Sequence, residues 1–590
     1  MDLGKSWSKF VLGLRIGENF SALTRRFILL VLILTGVLCG LIAVVFHDMI
    51  ELARGLLIGS AMAIPGYLRI PAILLTPTVV AVLLAVILQR YAPRTRGANL
   101  ARVRRAYAQD PSVLDGKTVL MTLLLTPISL GAGIPLGPEG PTVVVASGAS
   151  VYLAKLLRLP KKIVRGMIPV GTAAGIAAIF NTPITGVVFA LEEVLGTTSR
   201  GLLGGTIVAA VAAAVVERLL QGGRPLLPAP MATWHDVREL IGFALVGVVA
   251  GLVSGLSTLA VDKLRTKVTK QIQSPIFRAA AGGLAVGLFG LMVPDIFGVG
   301  YDMTSGFLHG EQSLGISAAA FAMKTIAFIV SLATGLLGGT FAPSLFIGAS
   351  LGATVGHLAQ MQLNGSIQPG AYALVGMGAF FAGTLRCPIA SLLIVFELTG
   401  DYGLILPLML AVALSISISR KLAPLSLTER QLLQEGYREE EHSASDPLAT
   451  LAVSDVMTRD PVALREDMTL LEAARFVAGT KHHFYPVVND LRRFVGLLSS
   501  DQIDSAAREG TLEERVGDHV EKPPLVSKAN ESVREMIWSM AQKGVDRCPV
   551  VAGDGSGVLV GIVGPADLLH ARMKRARQSD TLETELDVLG

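Results

Sequence analysis

The sequence has 590 residues, of which 51% are hydrophobic and only 16% charged, with 63 glycines. Those proportions exclude an ordinary soluble domain and describe a chain that is mostly membrane-embedded. A formal charge of +5 over this length is what positive-inside loops produce, and it gives no ground for a nucleic-acid partner.

Lys5, Lys9, Arg15, Arg25 and Arg26 precede the first apolar run, 27–46, and no A-x-A cleavage site follows it. The run is therefore expected as a retained helix, with 1–26 as a cytoplasmic N-terminal segment. Further runs of spanning or near-spanning length cover 70–89, 240–260, 279–293, 318–337 and 404–418, the fifth of the six interrupted by Lys324. Cys39, Cys387 and Cys548 are far apart and suggest neither a disulfide framework nor a zinc site; they read as small buried apolar residues. His47, His235, His309 and His357 are scattered singly, with no nucleophile and base beside them, so no enzyme is expected.

Gly137-Pro138-Glu139-Gly140-Pro141 sets a carboxylate in a helix-breaking frame, just before an apolar run at 142–145 that should start a helix. Helix N-termini carry unpaired amides and partial positive charge, so they suit anions. An ionised Glu139 occupies the anion's own place, and its protonation or displacement vacates it; a carboxylate merely satisfied by caps is the plainer but weaker reading, given the flanking glycines. Thr340 and Phe341 follow Gly338-Gly339 and precede Ala342-Pro343, so their amides invite the same reading. A metal would need His or Cys there, and none is present.

Glu192 and Glu193 end an apolar helix expected over 185–191. Neighbours on a helix point about 100° apart, so at most one faces a pathway. A proton relay and a helix-terminal carboxylate pair stand about even.

Two internal repeats define the architecture. Gly171 and Gly376, Pro183 and Pro388, Ile184 and Ile389, and Glu192 and Glu397 are each 205 residues apart, and the GPEGP and GGTFAP segments fall close to that offset. Matching Gly/Pro-broken segments in two halves, about 27–220 and 235–426, point to a transport site at the repeat interface. Glu192, matched by Glu397, is then the structural member of its pair. After residue 426 the composition turns charged, and 427–450 reads as a solvated linker. Beyond it, Asp455 and Asp518, Pro461 and Pro524, and Pro486 and Pro549 repeat at an offset of 63, in units of short strands and amphipathic helices over 451–511 and 512–575, followed by a tail, 576–590. His482 and His483 read as an ordinary exposed turn.

Over 27–427 the segments GPEGPTV, GTAAGIAAIFNTPITGVVFALEE, GGTFAPSLFIGASLG and GMGAFFAGTLRCPIASLLIVFELTG resemble the CLC family of chloride channels and proton-coupled anion exchangers. The soluble units resemble tandem cystathionine-β-synthase-type (CBS) domains. The resemblance implies an all-α membrane domain of two inverted repeats with broken helices, a C-terminal α/β CBS pair, and a homodimer with one pathway per subunit. It further implies Glu139 as the gating glutamate, Thr340, Phe341 and Gly140 at the anion site, and Glu193 as the internal proton glutamate.

Two departures stand out. The family's serine falls on Ala98, beside Asn99, which with Leu100 is similar to the fluoride-transporting branch, and its pore tyrosine falls on Ser426. Missing donors weaken discrimination between anions. Exchange of chloride for protons leads, with a passive chloride channel next, a fluoride or low-selectivity transporter third, and a CBS-regulated cation transporter disfavoured for want of converging acids. The CBS ribose signature is half intact in each repeat: Asp567 is kept in the second and Ser499 in the first, which ends on Gln502. Binding of ATP, ADP or AMP and a purely structural dimerisation role both stand; no other cofactor is implied. The expected location is a plasma or inner membrane, crossed several times, with the N-terminus and the CBS pair cytoplasmic.

Overall fold

Proline, glycine and left-handed residues cut the apolar part of the chain into helices of unequal length. The structure, a computed structural model, describes residues 22–91, 100–196, 200–223, 226–229, 237–362, 367–400, 402–434, 451–480, 482–571 and 573. It forms two compact units divided at Glu440 and Glu441.

The first half of the membrane unit contains α1 (Ala22–Arg54), α2 (Arg69–Tyr91), α3 (Leu100–Ala108), α4 (Gly116–Gly131), α5 (Glu139–Leu156), α6 (Lys161–Phe180), α7 (Pro183–Phe189) and α8 (Arg200–Gln221). The second half contains α9 (Glu239–Gln271), α10 (Pro275–Met292), α11 (Tyr301–Leu308), α12 (Leu314–Thr334), α13 (Phe341–Gln362), α14 (Pro369–Leu385), α15 (Pro388–Thr399) and α16 (Ile405–Leu422).

Among the described residues nine helices are long and apolar enough to cross a membrane. Six correspond to the runs read from the sequence. The others, Lys161–Phe180, Leu202–Gln221 and Phe341–Gln362, were not among those runs. The first and third are buried over 83% and 78% of their apolar windows, against 33% for Gly66–Tyr91, so they pack against protein and need small residues more than greasy ones. In the second, Glu217 and Arg218 break the apolar run.

The centre of the unit is two tight helix crossings, α5 on α6 and α13 on α14. A Cβ on Gly348 would lie 2.4 Å from the Gly376 carbonyl oxygen, and one on Gly376 would lie 2.3 Å from that of Gly348; in the first half, a Cβ on Gly171 would meet Ala146 O at 2.7 Å. Backbones touch because side chains are absent there.

The duplication reaches the helix ends. Asn181 and Arg386, 205 apart, both adopt left-handed conformations (φ 56° and 65°) and stop α6 and α14. Pro183 and Pro388 then start α7 and α15 at their first turns, where a missing N–H costs nothing. Lys324 interrupts α12 without breaking it: its buried ammonium donates to the carbonyls of Ile296 (2.8 Å) and Gly298 (2.7 Å) and lies 4.7 Å from the Phe346 ring centroid.

The linker expected over 427–450 begins instead with a helix, α17 (Leu427–Gln434). A capping box starts it, with Glu429 N donating to Ser426 Oγ (3.2 Å) and Ser426 N to Glu429 Oε2 (2.6 Å). Leu432 is fully buried beside Ala101, so the charge-rich composition concealed a short amphipathic helix that belongs to the membrane unit. The remainder of that linker, from 435, lies outside the described residues, as do residues 1–21 and the tail 576–590.

The soluble unit has two sheets. Strands β2 (Leu464–Arg465), β3 (Phe484–Val488) and β4 (Phe494–Ser499) make one in the order β2-β3-β4; β1 (Thr458–Arg459), β5 (Ser527–Lys528), β6 (Cys548–Val551) and β7 (Leu559–Val563) make the other in the order β1-β7-β6-β5. Helices α18 (Leu470–Val477), α19 (Ser500–Glu509) and α20 (Val533–Lys543) cover them. The repeats exchange their entry segments. Thr458 pairs with Ile562 of the second repeat, and Glu521, which matches Thr458 at the offset of 63, bridges Leu497 of the first. Val453 and Val456 accordingly pack in the core with Cys548 and Val563, and Val516 in the core with Leu464 and Tyr485.

Candidate functional site

Gly137 and Gly339 join the two halves at their broken helices. Gly137 N donates to Gly339 O (2.9 Å) and Gly339 N to Gly137 O (2.5 Å), a two-residue antiparallel bridge. Two residues after each glycine, α5 and α13 begin, so the amide-rich ends of both helices are held together. Glu139 is the first residue of α5 and fully buried; its Oε1 accepts from Ala342 N of α13 at 3.2 Å, while Oε2 is buried with no hydrogen-bond partner. A carboxylate thus sits on the opposite half's helix N-terminus, where an anion would sit.

Phe341 opens α13 and is 3% exposed. Its ring is clamped by Phe180 (5.8 Å between centroids), Phe189 (4.8 Å) and Phe381 (4.6 Å). A cavity of about 530 Å³ reaches Gly140, Thr340, Phe341 and Phe189 and extends to Leu427 and Thr428. Its described lining includes Arg265 and Arg278 and no acidic side chain, which suits an anion.

Glu139, Gly140, Thr340 and Phe341 are therefore brought together. Ser426 is not among the cavity's described lining residues. It is buried as the N-cap of α17, with its hydroxyl oxygen accepting from Glu429 N. Ala98 and Asn99 lie outside the described residues.

Glu192 and Glu193 follow α7 in a π turn, Ala190–Leu195, which sends their side chains to different partners. Glu192 accepts from Ile389 N (3.1 Å) and Ala390 N (2.9 Å) at the start of α15. Glu397, its match, accepts from Ile184 N (2.9 Å) and Thr185 N (2.6 Å) at the start of α7. Each half's glutamate caps the other half's helix. Glu193 turns inward instead: Arg104 Nη1 of α3 lies 3.3 Å from Oε1, and the Cys387 thiol donates to Oε2 at 3.3 Å. Sequence reasoning missed Arg104 and treated Cys387 as apolar filler. The one available signal was a basic residue on a helix whose face is otherwise apolar, with Leu100, Val103 and Ala106 buried.

The chain has matches among known proteins. The family model described as voltage gated chloride channel covers residues 79–420, more than half of the chain. The chain belongs to that family. A putative chloride channel protein ClcB-like from Ralstonia nicotianae is 33% identical over 363 residues, covering 60% of this chain and 83% of the relative. An H(+)/Cl(-) exchange transporter ClcA from Vibrio cholerae is 29% identical over 407 residues, covering 65% and 84%. The crystal structure of a eukaryotic CLC transporter superposes with a TM-score of 0.63 at 18% identity, over 92% of this chain and 98% of that one, which supports the fold. This voltage gated chloride channel family member is an integral membrane protein with a tandem CBS module, whose family model matches 453–509 and 516–574.

In the CBS pair, Asp567 accepts from Thr458 Oγ1 (2.7 Å) and from Gly564 N (2.8 Å) at the start of its helix. The equivalent corner of the first repeat is built differently. Ser499 caps α19, accepting from Gln502 N at 3.2 Å, and Gln502 Nε2 donates to Glu521 Oε1 at 3.1 Å. Asp567 and Ser499 thus stand in separate, pseudo-equivalent corners.

Proposed function

We propose that the protein exchanges chloride for protons across the membrane, with Glu139 as the gate and Glu193 as the internal proton carboxylate. The observation that carries this reading is the Glu139 carboxylate on the Ala342 amide, between two helix N-termini fixed by the Gly137–Gly339 bridge. Such a site binds one anion or the carboxylate, so protonation of the gate, which removes its charge, favours its leaving and the anion's entry. The name of the Vibrio cholerae relative agrees with exchange. The buried Glu193, hydrogen-bonded to the cavity-lining Thr428, gives protons a second titratable stop.

The test is flux in liposomes. A chloride gradient is expected to drive protons uphill in the wild type, and Glu139→Gln to leave chloride flux with no coupled protons; passive proton movement in the wild type refutes exchange. The passive-channel reading draws on Ser426, whose hydroxyl caps α17 where the family places a phenol. Running chloride, fluoride and nitrate in the same assay decides the anion. The proposal includes a homodimer and a cytoplasmic CBS pair. It also includes either adenine-nucleotide binding at Asp567 or, for that module, dimerisation alone.

A further inference from the structure

Glu193 has two oxygens with unequal partners. Oε1 faces the Arg104 guanidinium at 3.3 Å in a pair whose side chains are 17% and 7% exposed. Oε2 accepts from the Cys387 thiol, a weak donor, and the Thr428 hydroxyl also hydrogen-bonds the carboxyl group. The thiol has a second acceptor in reach, the Leu385 carbonyl at 3.6 Å. The other groups facing Glu193 are Thr428 and Glu429 of α17, with Glu192 beside it on the π turn and Arg386 ahead of α15. Two of these are already engaged elsewhere: Glu429 Oε2 accepts from Ser426 N and lies 3.8 Å from Arg386 Nη1, and Arg386 also donates to Pro424 O (2.5 Å) and Ala423 O. Glu192 is occupied by the α15 amides. Among the described residues, Arg104 is therefore the cation held directly on the Glu193 carboxylate.

Resting on the exchange reading, we propose that Arg104 is a positioning residue for the internal proton step: it fixes Glu193 through Oε1, leaves Oε2 as the proton's landing atom, and sets the pH at which the proton lands. The proton adds to Oε2 as an O–H bond. Cys387 keeps its own S–H and turns it to Leu385 O, and no other bond changes. Burial favours the neutral acid and the guanidinium favours the carboxylate, so the two opposing influences keep Glu193 switchable. A lone buried acid would hold its proton; one with an unyielding counter-ion would never take it.

The experiment titrates purified full-length protein by infrared difference spectroscopy, reading the carboxylic-acid C=O band that disappears in Glu193→Gln, beside pH profiles of coupled proton flux in liposomes. Arg104→Gln is expected to move the midpoint of that band alkaline by roughly 1–3 pH units, the range for loss of one close opposite charge. Arg104→Lys is expected to stay near the wild-type midpoint. The flux profile should move in the same direction, and in the Glu193→Gln background, where coupled protons are lost, adding Arg104→Gln should leave the pH profile of chloride flux unmoved. An unmoved band in folded Arg104→Gln, or a flux shift that persists without Glu193, overturns the proposal. Absence of uphill proton transport in the wild type overturns the exchange reading alone, because the infrared titration still reports whether Arg104 controls Glu193.

Discussion

At the scale of single residues, the site is defined by what has been left out around Glu139. A Cβ on Gly137 would lie 2.1 Å from Glu139 Oε2, and one on Gly339 would lie 3.1 Å from the same atom, so the carboxylate occupies space that two glycines keep open. Gly140 is different: a Cβ there meets nothing closer than Gly339 Cα at 3.4 Å. Gly137→Ala is therefore expected to expel the carboxylate from its seat, keeping chloride flux while the protons moved per chloride fall severalfold. Gly140→Ala is expected to keep coupling close to wild type. Paired chloride and proton recordings from the same vesicles check both, and full coupling in Gly137→Ala would show that Glu139 does not work from this position. Glu139, Thr340 and Phe341 were legible because glycine and proline frame them, and a broken apolar helix is rare without a reason. Arg104 was not. In Ala101-Arg102-Val103-Arg104-Arg105 it looks like its basic neighbours, and only the fold turns it toward Glu193.

Among the helices, the two halves are stitched by exchanged caps. Pro388 leaves the amides of Ile389 and Ala390 at the start of α15 without intrahelical partners, and Glu192 of the first half takes both. Glu397 does the same for α7, with the Thr185 hydroxyl as a third donor at 2.6 Å. Glu192→Ala and Glu397→Ala are each expected to cost about 1–2 kcal/mol, the range for losing a helix cap. Thermal unfolding in detergent should register both losses. The proton-to-chloride ratio should not change in either variant, in contrast to Glu193→Gln, and a changed ratio in Glu192→Ala would reassign it to the proton route. The 205-residue offset already singled out Glu192 as the structural member of its pair. What periodicity could not supply was the small-residue helices α6 and α13, which are buried in protein and carry no need to look lipophilic, or α17, whose charged composition hides Leu432. Helix length and hydropathy report contact with lipid, and these elements have little of it.

Across the whole molecule, duplication followed by divergence is the common theme, and the soluble unit shows it as clearly as the membrane unit. Its two corners are related by the repeat, so Asp567 stands where Gln502 stands and Thr458 where Glu521 stands. The second corner offers a carboxylate at a helix start, held by a hydroxyl that a ribose hydroxyl can replace one for one. In the first corner the amide of Gln502 is bonded to the Glu521 carboxylate and to the His519 carbonyl (3.3 Å), an arrangement already filled by its own groups. Calorimetric titration of the full-length protein with ATP, ADP and AMP is thus expected to give one nucleotide per chain, abolished by Asp567→Asn and retained in Gln502→Ala. Two sites per chain, or loss of binding in Gln502→Ala alone, would contradict this assignment of the corners. Heat from none of the three nucleotides would leave the pair as a dimerisation module, since the exchanged entry segments tie the two repeats of one chain together without any ligand.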